Sequence, residues 1–123
     1  RAALRLFVAD LGRFYADTAC LWAGDPDPEG FAWIDCNDRE NSVLAFERRH
    51  GAACVVVILN LTPVPREDYR VGAPQAGAWV ERLNSDAAVY GGSGWATAVR
   101  LETDAVPFHG RAQSLRLRLP PLS

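Results

Sequence analysis

VVVILNLTPVPREDYR (residues 55–70) joins a solid apolar run to a proline-broken, charged segment. Val55, Val56, Val57, Ile58 and Leu59 are aliphatic without interruption and mostly β-branched. Over so short a span that pattern predicts a strand buried on both faces, in the centre of a sheet. Pro63 and Pro65 lack a backbone N–H and fix φ, so ladder pairing cannot run through them. The strand is expected to end in a stiff loop that presents Arg66, Glu67, Asp68, Tyr69 and Arg70.

Short strands are predicted on either side, near residues 31–35, 42–49, 54–59, 69–71, 79–83, 99–102 and 114–119, with turn residues between them. In the last, Leu115, Leu117 and Leu119 alternate with Arg116 and Arg118, the period of a half-buried strand. Ahead of them, Leu4, Phe7, Val8, Leu11, Phe14 and Tyr15 recur at steps of three and four, which is an amphipathic helix with a broad apolar face. That face must pack on the β-region, dimerise or stay partly exposed. The prolines and glycines of residues 24–30 are turn chemistry and mark a boundary. Many short strands and a single helical pattern argue for a mainly β protein, an antiparallel β-sandwich with Greek-key connections preceded by one amphipathic α-helix.

With 123 residues the chain is one domain by length, too short for a complete barrel enzyme of about 250 residues. It contains no Met, so Arg1 reads as an internal or processed start. A net charge of −2 with no basic stripe argues against nucleic acid as a partner. Cys20, Cys36 and Cys54 have neither the pairing of a disulfide framework nor zinc-ligand spacing, so free, buried thiols are expected. No apolar run reaches the roughly 20 residues of a membrane span, and no signal peptide is visible. A cytoplasmic location, with no membrane partner and no cofactor, is the expectation.

Several ordered blocks carry a resemblance. Asn60-Leu61-Thr62-Pro63-Val64-Pro65-Arg66-Glu67-Asp68-Tyr69-Arg70 is preceded by Phe31-Ala32-Trp33-Ile34-Asp35 and by Asn41-Ser42-Val43-Leu44-Ala45-Phe46. It is followed by Leu83-Asn84-Ser85-Asp86, Tyr90-Gly91-Gly92-Ser93, His109-Gly110-Arg111 and Leu119-Pro120-Pro121-Leu122. In this order they resemble the C-terminal β-domain of bacterial 1,4-alpha-glucan (glycogen) branching enzymes of the alpha-amylase superfamily. The resemblance implies that residues 1–23 are the last helix of an upstream catalytic barrel, 24–30 a linker and 31–123 the all-β domain. It also implies a parent enzyme that cleaves an α-1,4 glucan chain, holds it on an Asp of the barrel and transfers it to a 6-hydroxyl in glycogen synthesis. That family normally adds a strand beyond the position of Ser123, and its loop after Gly92-Ser93 differs from the Gly94-Trp95-Ala96-Thr97-Ala98 found here.

Retaining chemistry in that superfamily needs two carboxylates about 5 Å apart across the scissile bond. No matched block corresponds to such a motif, so catalytic residues are expected to be none and the chain alone inactive. Asp25, Asp27, Asp35, Asp38 and Glu40 lack the spacing of a calcium loop and read as solvated turn residues, with no metal site. His50 falls at a hairpin turn and His109 in a loop, and neither has a nucleophile at a triad motif. Glucan binding needs aromatic faces with polar groups at the rim. Tyr90 and Trp95 beside glycines are the candidates in loops, and Trp33 and Trp79 those in strands, where core packing competes. Leu4, Phe7, Leu11, Arg66 and Tyr69 are the candidate contacts to the barrel. The function expected is a non-catalytic domain that buttresses the barrel and contacts glucan. The alternative is an autonomous carbohydrate-binding sandwich, and the blandest reading a structural domain with no ligand.

Overall fold

A computed structural model describes residues 2–21, 31–38, 42–50, 53–93 and 100–123, the side chains of 36–38 excepted. In β2 (Val43–His50) Val43, Ala45 and Glu47 are buried while Leu44, Phe46 and Arg48 are half-covered. This is the two-residue period of a strand with one face inward. β1 (Phe31–Asp38) and β3 (Ala53–Asn60) flank it antiparallel in the order β1-β2-β3. β4 (Arg66–Ala73) pairs antiparallel with β7 (Gln113–Leu119), and β5 (Ala78–Val80) with β6 (Arg100–Glu102). Ile34 and Ala45 of the first sheet meet Val71, Ala73 and Leu115 of the second, with Val56, Ile58, Tyr69, Trp79, Leu101 and Leu117 packed around them. Three small antiparallel sheets on one core, behind one helix, make the mainly β, antiparallel fold that the strand pattern predicts.

β7 follows its alternation: Leu115 and Leu119 are buried, Leu117 is half-buried, and Arg116 and Arg118 face out. Three expectations are corrected. The run Val55–Leu59 is not a central strand, because β3 lies at the edge of the described sheet and its five residues are half-buried. Val56 and Ile58 serve the core, while Val55, Val57 and Leu59 extend an apolar outer face. Two apolar faces give a continuous run without a neighbour on each side. Arg66 to Arg70 do not form a loop but open β4 directly after Pro65. Their charges are tolerated because Arg116 ion-pairs with Asp68 at 2.8 Å, and Arg70 reaches Ser114 Oγ at 2.7 Å and Asp104 at 3.3 Å. Arg70 and Arg116 are cross-strand neighbours, so these separate acceptors keep like charges apart. Asp35 is no turn residue: it lies in β1, mostly buried.

The segment between β3 and β4 is held by Asn60, which is fully buried. Its Nδ2 donates to the carbonyls of Val64 (3.0 Å) and Pro120 (2.9 Å), and its Oδ1 accepts from Thr62 N (3.1 Å) and Thr62 Oγ1 (2.9 Å). Its backbone exchanges hydrogen bonds with Ser123 at 2.7 and 3.1 Å. The proline loop is therefore tied to the last residues of the chain. Among the described residues no helix is long and apolar enough to cross a membrane.

Candidate functional site

The helix α1 (Ala2–Asp17) and the residue after it carry two stripes, one covered and one exposed. Ala3, Phe7, Asp10, Phe14 and Thr18, spaced by three and four, are partly covered by the rest of the chain. The Phe7 ring meets Tyr90 edge-on at 5.1 Å, the Tyr90 hydroxyl donates to Asp10 at 2.5 Å, and Arg82 lies 6.0 Å over the Phe14 ring. Tyr90 sits in a single 3₁₀ turn (Ala88–Tyr90), braced by the Asn84 side chain accepting from Asp86 N at 2.9 Å, the turn opening that Asn84-Ser85-Asp86 predicts. The second stripe, Leu4, Val8, Leu11 and Tyr15, is 65%, 59%, 44% and 48% exposed. No residue of α1 is buried, so a second apolar surface is left uncovered.

The sequence-predicted aromatics occupy separate settings. Tyr90 fastens the helix. Trp33 is 49% exposed on the outer face of the first sheet, in a cluster with Phe31 (5.3 Å) and Phe46 (5.9 Å). Trp79 is half-buried, its indole N–H donating to the carbonyl of Gln75 at 3.1 Å. Trp95 and the linker over 24–30 lie outside the described residues. Of the predicted interface residues, Leu4 and Leu11 are on the uncovered stripe and Phe7 is on the covered one. Arg66 is half-buried at the start of β4, and Tyr69 packs against the core.

One enclosed polar cluster was missed by the sequence reading. The register shift in β1 between Trp33 and Asp35 inserts Ile34 as an extra residue, so that Ile34 reaches the core and Asp35 pairs opposite Ala45. Asp35 Oδ2 lies 3.3 Å from His109 Nε2, while His109 Nδ1 accepts from Gly72 N at 3.1 Å. The Gly72 bond fixes the neutral ring with its proton on Nε2, toward Asp35. Only glycine fits at 72, since a Cβ there would collide with the carbonyl of Phe108. Beside this pair, Glu47 is 1% exposed and accepts from Arg111 Nη2, with Arg49 Nε at 3.6 Å. The missed signal was the inward alternation Val43, Ala45, Glu47, which demands a cation for a buried acid. Among the described residues no group of three or more metal-ligating side chains forms a metal site.

These sheets, with their helix, match known proteins. The alpha amylase C-terminal all-beta domain covers residues 33–123. The chain belongs to that family. Over 123 residues it is 51% identical to the 1,4-alpha-glucan branching enzyme GlgB of Cereibacter sphaeroides, a match of 99% of this chain and 17% of that enzyme. It is 53% identical to GlgB of Aromatoleum aromaticum, covering 99% of this chain and 19% of the relative. With GlgB of Thiobacillus denitrificans it shares 50% over 121 residues, or 97% and 16%. The chain thus spans less than a fifth of the length of these relatives and matches their C-terminal domain. The helix precedes the matched family region yet falls inside the alignments to the branching enzymes.

The thiols of Cys20 and Cys54 are free. Burial, then the Glu47 carboxylate and the Cys20 thiol, push Cys54 from 9.0 up to about 11. The hydrogen bond to Asp10 raises the Tyr90 phenol. A raised value means that the neutral form belongs to the folded state, so its contribution is complete below the unfolded value and is lost as pH rises through the folded one. Stability is therefore expected to fall between pH 9 and about 11, and Cys54→Val should flatten that slope in urea titrations. An unchanged slope in Cys54→Val would refute the assignment.

Proposed function

We propose that this chain is the C-terminal domain of a cytoplasmic 1,4-alpha-glucan branching enzyme, with residues 1–23 as the last helix of the upstream barrel, 24–30 as linker and 31–123 as the β-domain. It buttresses the barrel and contacts glucan while taking no part in the bond chemistry. The uncovered stripe Leu4, Val8, Leu11 and Tyr15 carries this reading, because it offers one helix both to this domain and to a further surface. The occupant is the upstream part of the same polypeptide, since more than four-fifths of each relative described above lies outside the matched stretch. The engagement of these carboxylates supports inactivity of the chain alone: Glu47 is committed to Arg111, Asp35 to His109 and Asp10, on the helix surface, to Tyr90 and Arg13. An autonomous module is disfavoured, since nearly the whole chain aligns within longer enzymes.

In the full-length polypeptide, Val8→Glu combined with Leu11→Glu should loosen the domain by about 3 kcal/mol, the burial energy of two aliphatic side chains. Limited proteolysis would then release the domain far faster than in the parent. Equal cleavage rates would remove the docking claim, and branching of amylose by residues 1–123 alone would remove the claim of inactivity.

A further inference from the structure

Phe108-His109-Gly110-Arg111 is a two-residue hairpin turn: Phe108 and Arg111 exchange backbone hydrogen bonds at 2.9 Å, and φ is positive at both His109 (51°) and Gly110 (72°). Histidine is an uncommon choice at the first of these positions, where Asn, Asp and Gly dominate. Its ring accounts for the choice, because it reaches two different strands. Nε2 lies 3.3 Å from Asp35 of β1, and Nδ1 accepts from the backbone N–H of Gly72 in β4 at 3.1 Å. We propose that His109 is a proton-operated pin between the first sheet and the β4–β7 sheet: the neutral ring holds both, and the protonated ring keeps Asp35 and lets go of Gly72. The inference goes beyond the docking of the helix and does not depend on it.

In the β4–β7 ladder Gly72 stands opposite Ser114, and Ser114 directs its own N–H and carbonyl to Asp104 at 3.0 and 2.8 Å. Gly72 and Ser114 are thus a non-hydrogen-bonded pair, which turns the Gly72 N–H out of the ladder and toward the turn. Gly72 is buried, so that donor depends on the imidazole. The fit is close: Phe108 O, His109 Cβ and Arg111 Cγ stand where a side chain at Gly72 would have to go. A neutral imidazole has one donor and one acceptor, both used here, whereas an imidazolium has two donors. A proton on Nδ1 therefore sets two donors against each other across 3.1 Å, while Nε2 gains an ion pair with Asp35. The other titratable groups on the elements packed about the ring are engaged elsewhere. Glu47 of β2 is held by Arg111 of the turn and by Arg49, and faces the Cys54 thiol of β3; Arg70 of β4 is paired with Asp104. The turn stays anchored to the first sheet through Arg111, which donates to Glu47 and, at 3.4 Å, to the carbonyl of Trp33. The β4 side is therefore the one that opens in acid.

The test follows ¹H–¹⁵N spectra of the ¹⁵N-labelled chain from about pH 8 to about pH 5, the range over which histidine changes charge. The Gly72 amide and the His109 ring nitrogens are expected to move together with one midpoint, with Nδ1 unprotonated at the upper end. Protection of the Gly72 amide against hydrogen exchange, corrected for the intrinsic effect of pH, should fall about tenfold, the effect of one lost hydrogen bond. Asp35→Asn should keep that step, because the proton arrives on Nδ1 and not on the carboxylate. His109→Asn, which tolerates the positive φ, should abolish it and leave the titration of the exposed His50 unchanged. A Gly72 amide indifferent to pH overturns the proposal, as does a ring that carries its proton on Nδ1 at the upper end or stays neutral at the lower. Loss of the step in Asp35→Asn would move the titration to that carboxyl, and loss of all amides together would be global unfolding. Either overturns the pin.

Discussion

Replacing Arg111 with Met lowers the unfolding free energy by about 3–5 kcal/mol, the cost of leaving a buried charge without its partner. Glu47 is nearly inaccessible to water, and Arg49, its second cation, is mostly exposed and 3.6 Å away. Met keeps most of the side-chain volume, so the loss isolates the charge. Arg111 also donates to the carbonyl of Trp33 at 3.4 Å, which ties the loop after β6 to β1. Adding Glu47→Leu to Arg111→Met should recover most of the loss, since an apolar pair of similar volume is often as stable as a buried ion pair. Urea unfolding of the single and double variants measures both effects. A loss below about 1 kcal/mol in the single variant would show that water reaches Glu47.

Asn60→Ala is expected to cost about 3 kcal/mol, because two carbonyls and two donors lose their partner at once in a buried site. Asn60→Asp is the sharper probe. It preserves shape and the acceptor for Thr62 but turns the Nδ2 donor into an oxygen facing the carbonyls of Val64 and Pro120. The aspartate variant should be less stable than the alanine variant at pH 7 and regain ground at acidic pH, where its carboxyl can donate. Thermal unfolding at both pH values decides this, and an aspartate variant as stable as wild type at neutral pH would contradict the hydrogen-bond assignment.

What the sequence made legible was whatever depends on neighbours along the chain. Leu115, Leu117 and Leu119 declared their strand because a period of two needs nothing distant. Asn84 declared its turn for the same reason. The position of β3 was not legible, because Val55 to Leu59 report how apolar their two faces are and not how many strands lie beside them. Charge hid the start of β4: Arg66, Glu67 and Asp68 resemble a loop until Arg116 supplies a partner from β7. The pairing of Asp35 with His109 joins two remote segments, and the division of the helix into two stripes depends on where Tyr90 comes to rest. Both are tertiary facts with no local signature. Glu47 was the one readable exception, an acid at an inward position of an otherwise apolar strand face.

The tie between Asn60 and the final residues sets an order of events during synthesis. β1, β2 and β3 are joined as successive hairpins and can pair as soon as they leave the ribosome. Their inner face, however, is sealed by Leu115 of β7, and Asn60 waits for Pro120 and Ser123. Until then the nascent sheet displays its inner face, Ile34, Ala45, Val56 and Ile58, an apolar surface prone to meet another copy of itself. Completion of β7 thus covers that face, and a ribosome stalled before β7 leaves an adhesive hairpin sheet in need of a chaperone.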